Sequence, residues 1–227
     1  MGAINSIDVV MVSNAKNSHF RFLAEQTIYT AIDKESNWNV NVIVVEKQHI
    51  EYNRAAITLS QDEPFNYNAC LIKGANSGTS EYIFFANNDL VFGHNWATNL
   101  IEAMIENNSR SACPYSEISH KENKTNLTKA KEIYEGYEIR KEFCGWAFCW
   151  KRDLFEELSL DTRVSFWCSD DATAEQLKMK NEKHILVTKS IVDHYENGSK
   201  TLYSMDNNTI HNLTTEQFIK FKQLYNK

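Results

Sequence analysis

Proline and glycine are scarce in this chain, at 2 and 7 of 227 residues, which excludes collagen-like and linker-dominated architectures. No Cys-x-x-Cys pair occurs among Cys70, Cys113, Cys144, Cys149 and Cys168. Neither a zinc ribbon nor a disulfide scaffold is therefore indicated, and buried, reduced thiols are expected. No apolar run reaches the roughly 18 residues that a membrane-spanning helix requires. The N-terminus lacks the charged-then-apolar pattern of a secretory signal, so a cytoplasmic location is expected. P-loop, His-Glu-x-x-His and Gly-x-Ser-x-Gly motifs are missing too, which removes three common chemistries. Positive charge is in deficit: 24 Lys and Arg against 30 Asp and Glu leave a net charge of −6. That balance disfavours a dedicated electrostatic nucleic-acid binder.

What is present is a chain able to fold. Hydrophobic residues make up 42% and aromatic ones 12%, enough for a real core, and the length suits one sizeable domain. Short apolar runs alternate with helical periodicity, which predicts an α/β fold. Ile7–Val12 reads as a buried strand, and Phe20, Leu23, Ala24, Ile28, Ala31 and Ile32 mark a helix over about 18–34. Val40–Val45 is a second strand, 66–77 looks helical, and Tyr82–Ala86 is a third strand. A helix bearing Trp96, Leu100, Ile101, Met104 and Ile105 follows. Residues 116–142 are charged and poorly periodic, and are expected to form a long surface excursion. Order returns at Phe143–Trp150, with helices near Arg152–Leu158 and Asp170–Lys180 and strand segments at Ile185–Val187 and Ile191–His194. Thr214-Thr215-Glu216-Gln217 has the form of a capping box opening a last helix with Phe218, Phe221 and Leu224.

Three clusters carry candidate chemistry. Tyr82–Ala86 runs into Asn87-Asn88-Asp89, polar groups at a strand end, where open α/β sheets place ligands. Asp89 is suited to a hard divalent cation and the amides of Asn87 and Asn88 to sugar or phosphate groups, although such a tripeptide is also an ordinary turn. Asp170-Asp171 opens a helix, where the dipole stabilises anions. This pair is either a helix cap or a general base with a positioning partner. His194, after Asp193, could complete a metal site with Asp89.

The order and spacing of these pieces resembles the inverting nucleotide-sugar glycosyltransferases of family 2, over about residues 5–195. The resembling segments are Phe65-Asn66-Tyr67-Asn68, Glu81–Asp89 with a DXD-like end, Gly145–Phe155, and Asp170-Asp171 in place of an acidic "ED" motif. The resemblance implies a GT-A fold: a Rossmann-like, mixed, mainly parallel sheet flanked by helices, with a C-terminal helix. It implies a domain over 1–195, with a nucleotide-sugar half at 1–110 and an acceptor half at 111–195. Residues 196–227 would be a flexible segment and a helix packed on the same domain. Carried over residue by residue, Glu46 would bind the nucleoside and Ser13 would frame the base. Asn68, Asn87 and Asn88 would join the nucleotide-sugar site. Asp89 and His194 would hold manganese or magnesium against the donor diphosphate. Asp171 would be the catalytic base with Asp170 beside it, and Gly145 and Trp146 would line the acceptor and sugar pocket. The sequence departs from the family at Asn87, at Ile72 and near Gln176 and Leu177, where an Arg is usual.

The implied activity is metal-dependent transfer of a sugar, foremost from a uridine diphosphate sugar, to an acceptor hydroxyl. One base and no protein nucleophile imply a single displacement with inversion. The acceptor would be a glycan or, since the short chain also resembles viral and phage glycosyltransferases, a hydroxymethylated DNA base. A DNA acceptor would need Lys121, Lys124, Lys129, Lys131, Arg140, Lys141, Lys151 and Arg152 as a basic surface. A catalytically inactive sugar-nucleotide-binding module and a sugar-nucleotide pyrophosphorylase of related fold are the rival readings. The oligomeric state is left open.

Overall fold

A strand apolar on both faces needs cover on both sides, and Ile7–Val12 finds it inside the sheet. The computed structural model describes residues 5–123, 125–195 and 207–226. There β1 (Ser6–Ser13) lies between parallel β2 (Asn39–Glu46) and β4 (Tyr82–Ala86), with the short β3 (Ile57–Ser60) outside β2. The crossover helices are α1 (Ser18–Asp33) and α2 (Tyr67–Ala75). Each is opened by an asparagine side chain, Asn17 accepting from Phe20 N and Asn66 from Ala69 N. Gly74 lets α2 press onto β1, since a Cβ there would stand 2.4 Å from Val10 Cγ1.

Then follow β5 (Leu90–Phe92), α3 (Trp96–Glu106), β6 (Ser111–Tyr115), α4 (Glu117–Glu122) and β7 (Ile133–Glu135). The chain continues through β8 (Ala147–Lys151), α5 (Arg152–Leu158), α6 (Ser169–Met179), β9 (His184–His194) and α7 (Asn207–Tyr225). Among the described residues the strands join in the order β3-β2-β1-β4-β8-β6-β9-β5, with β7 also on β9. Strands β1, β2, β3, β4, β6 and β9 run one way and β5, β7 and β8 the other, a mixed, mainly parallel sheet. Strand alternation sorts the core into two layers. Ile7, Val9 and Met11 pack with α1 and α3, whereas Val10 and Val12 pack with α2, α5 and α6. No helix among the described residues is long and apolar enough to cross a membrane.

Several expectations need correction. The 116–142 stretch is no structureless excursion: it contains α4 and β7, and His120 is buried. Asp193 caps α4 from a distance, its Oδ1 accepting from Glu117 N at 2.8 Å and Ser116 Oγ at 3.1 Å, a bond no local pattern announces. The capping box does not open α7. Thr214–Gln217 lie inside a helix that starts at Asn207, and Gln217 instead accepts from Phe166 N at 3.0 Å. Phe221, Leu224 and Tyr225 then pack α7 onto Val164 and Ala172. Strand segments 185–187 and 191–194 form one strand, β9, while β3, β5 and β6 were not foreseen. All five thiols are free, but Cys168 is only partly buried. The expected flexible segment, 196–206, and Lys124 lie outside the described residues.

Lys151 and Arg152 are displaced from the acceptor surface that the sequence suggested. Because β8 runs antiparallel to β4, Ala147 faces Ala86 and Lys151 faces Tyr82, at the opposite end of the strand. Arg152 donates there to Asp8 Oδ2 (2.8 Å), Ser80 O (2.6 Å) and Ala75 O (3.1 Å), and Asp8 is 2% exposed on its side chain. Breaking a buried pair from one side leaves an uncompensated charge. Arg152→Ala is thus expected to cost about 3 kcal/mol, read as a lower urea midpoint at unchanged slope.

Candidate functional site

Three parallel strands deliver their carboxyl ends to one edge. Ser13 pairs with Glu46 in the β1–β2 register, and Met11 with Ala86 in β1–β4, so Ser13, Glu46 and Asn87–Asp89 emerge together. Glu46 is 2% exposed and accepts three hydrogen bonds: from Ala15 N (3.1 Å), Gln48 N (2.8 Å) and Tyr52 hydroxyl (2.6 Å). These take three of about four acceptor positions on a carboxylate. Burial, then the bond to Glu46, pushes the Tyr52 hydroxyl well above its ordinary range. Asn88 Nδ2 donates to Ser13 Oγ at 3.2 Å, tying the strand ends to each other.

Next along this edge, Asp89 is 2% exposed and its Oδ1 lies 3.2 Å from His194 Nε2. The His194 ring stacks on Trp146, centroids 5.4 Å apart and planes at 7°. Trp146 in turn accepts at its carbonyl from Asn87 N at 2.9 Å. Among the described residues no group of three or more His, Cys, Asp or Glu side chains forms a metal cage. One carboxylate oxygen and one imidazole nitrogen are nevertheless two donors that a divalent cation accepts.

Asp170 and Asp171 follow Ser169 in the first turn of α6, after Cys168, whose φ of 60° turns the chain into the helix. Asp170 Oδ1 accepts from Asp171 N at 3.1 Å. Gly145 makes room for Asp170, since a Cβ there would sit 2.4 Å from Asp170 Cβ. Burial first, and the adjacent Asp170 charge second, push the Asp171 carboxyl up to about 6.

Tyr67 links the two acidic groups. Its hydroxyl donates to Asn87 Oδ1 at 2.9 Å. Burial, then the charges of Asp89 and Asp170, drive that hydroxyl far above its usual range. Asn68 stands differently from the other candidates: it is 1% exposed and its Nδ2 donates to Asp161 O at 2.9 Å. It helps line a closed seam of only about 10 Å³ with Tyr67, Gly145 and Asp170. A larger, open pocket, about 440 Å³, lies by α4 between Tyr115, Glu117, Lys121 and Lys129. Sequence reasoning assigned no role to Tyr52 or Tyr67. The segment Phe65-Asn66-Tyr67-Asn68 was the one signal for the latter, and nothing local marks the former.

No protein-family model and no curated protein sequence matches the chain. Among solved structures the chain is similar to that titled "Crystal structure of GalNAc-T7 with UDP, GalNAc and Mn2+", with a TM-score of 0.65 and 12% identity. The match covers 86% of this chain and 44% of that one, so the chain spans less than half of that protein. At this identity the likeness shows the fold, and the fold is GT-A.

Proposed function

We propose that this GT-A domain is a metal-dependent glycosyltransferase, moving a sugar from a nucleotide sugar to an acceptor hydroxyl with inversion. A uridine diphosphate sugar is the foremost donor, and a glycan or a hydroxymethylated base the acceptor. Supporting this is one arrangement: Asp89 with His194 at the sheet edge, and Asp170 with Asp171 at the start of α6, with Tyr67 touching Asn87 and lining the same seam as Asp170. The solved neighbour's UDP and Mn2+ accord with it. In this reading 1–110 serves the nucleotide sugar and 111–195 the acceptor.

The residues divide the work by chemistry. Asp89 and His194 hold a divalent cation, manganese or magnesium, which when bound neutralises charge gathering on the departing diphosphate. Ser13 and Glu46 receive the nucleoside: Glu46 offers its remaining acceptor position and holds Ala15 and Gln48 in place as walls. Asn87 and Asn88 present amides at the same strand end, and Asn68 holds the loop at Asp161. Asp171 removes the acceptor proton as the hydroxyl attacks the anomeric carbon, with Asp170 orienting it, and Gly145 and Trp146 border the sugar. In this reading the acceptor hydroxyl displaces the diphosphate directly, in one step that inverts the centre.

Calorimetry with UDP, with manganese and with EDTA, followed by assays of UDP-sugar hydrolysis, tests the reading. Manganese-dependent UDP binding and turnover are expected, and no binding of any nucleoside diphosphate would overturn it. Glu46→Ala is expected to weaken UDP binding about tenfold, the order of one lost hydrogen bond to a charged group. Unchanged UDP affinity, with a defect confined to the acceptor, would remove Glu46 from the nucleoside site.

A further inference from the structure

An aromatic surface flanks the carboxylate pair and has no part in the chemistry described so far. Phe65 is 36% exposed, and Phe166 and Trp167 are half-buried. Ring centroids lie 6.0 Å apart for Phe65–Phe166 and 5.0 Å for Phe166–Trp167, and Phe166 meets Tyr67 edge-on at 5.9 Å. The chain leaves Trp167, turns at Cys168 and enters α6 at Ser169, so this wall borders Asp170 and Asp171.

The wall is held in place rather than loosely exposed. Tyr67 N donates to Ser165 O at 2.7 Å, Asn66 Nδ2 to Thr162 O at 2.8 Å and Asn68 Nδ2 to Asp161 O at 2.9 Å. From the other side Phe166 N donates to Gln217 of α7, and Tyr225 hydroxyl to Asp161 Oδ2 at 2.7 Å. A fixed apolar surface beside acceptor-only carboxylates calls for a ligand with an apolar face and a rim of hydroxyl donors. A pyranose ring has that form.

We infer that Phe65, Phe166 and Trp167 form the docking wall for an uncharged saccharide acceptor, whose reacting hydroxyl faces Asp170-Asp171. This rests on the glycosyltransferase reading and names its acceptor class. Charge disfavours a nucleic acid. Two adjacent carboxylates repel a phosphate backbone, and four of the basic residues that such a backbone would need are held by carboxylates. Lys129 pairs with Glu117, Lys141 with Glu138 and Glu142, Lys151 with Glu81, and Arg152 with Asp8.

The test is a titration, by protein-observed NMR and without donor, of methyl glycosides of glucose, galactose, N-acetylglucosamine and N-acetylgalactosamine. An oligonucleotide containing 5-hydroxymethylcytosine runs in parallel, and UDP with manganese is titrated separately. At least one glycoside should bind the full chain. Trp167→Ala should weaken it about tenfold while Trp167→Tyr stays within about twofold, stacking area being the property removed or kept. UDP affinity and thermal midpoint should match wild type in both variants. The wall is overturned if no glycoside binds, if Trp167→Ala binds as wild type does, or if the oligonucleotide binds in preference to every glycoside. Failure of the glycosyltransferase reading shows separately, as loss of UDP binding in the wild-type chain.

Discussion

Asp171→Asn should cut sugar transfer by about 10²–10⁴-fold and leave UDP affinity at the wild-type value. The amide keeps the shape of the carboxylate and removes its basicity, so donor binding at the opposite acidic group has no reason to change. The wild-type enzyme should also show the protonation state of this group. A base works deprotonated, and Asp171 is held up to about 6 by burial and by the Asp170 charge. Transfer should therefore be full above that value and fall as pH drops through it. Asp170→Asn removes the neighbouring charge and leaves burial, so the acid limb should move to lower pH while transfer persists. If Asp170→Asn is dead and Asp171→Asn turns over normally, the roles are exchanged. If both keep full transfer, the pair is a helix cap and the proposed mechanism falls.

Asp89→Ala should lower donor hydrolysis and transfer to the limit of detection, with the fold intact by circular dichroism. Neutralising a departing diphosphate contributes several kcal/mol to such a transition state, and losing a carboxylate ligand forfeits most of it. Manganese binding, followed directly by electron paramagnetic resonance in the presence of UDP, should weaken in parallel. Asp89→Asn, which keeps the volume of a residue only 2% exposed, guards against reading a packing defect as a metal effect. Full activity of the wild-type chain in EDTA would refute the assignment.

Legibility in the sequence followed the range of the interactions involved. Ile7–Val12, Tyr82–Ala86 and the α1 stripe were visible because their patterns are local: continuous burial for a central strand, helical spacing for an amphipathic helix. β3, at the sheet edge with partly exposed residues, and the three-residue β5 and β7 carry too little pattern to read. α4 adds to its local Ser116 cap a bond from Asp193, 76 positions away, and Gln217 was read as part of a cap although its partner, Phe166, lies 51 positions away. The candidate site divides in the same way. Asp89, His194 and Asp170-Asp171 stood out by chemistry and order. That Tyr67 would bond to Asn87 and lie beside Asp170, that Tyr52 would bond to Glu46, and that Asn68 would face Asp161 are outcomes of tertiary packing.

The staples around residues 161–167 separate two kinds of evolutionary freedom. The edge that brings out Ser13, Glu46 and Asn87–Asp89 is built into the register of β1, β2 and β4, so a change there disturbs the sheet itself. The aromatic wall hangs instead on side-chain and backbone bonds from Asn66, Asn68, Gln217 and Tyr225 to one loop. With those four anchors kept, Trp167 and its exposed neighbours can be exchanged without touching β1, β2 or β4. A lineage could thus retarget its acceptor by a few substitutions in a single loop, and a designer seeking new acceptors should randomise that loop while leaving its anchors alone.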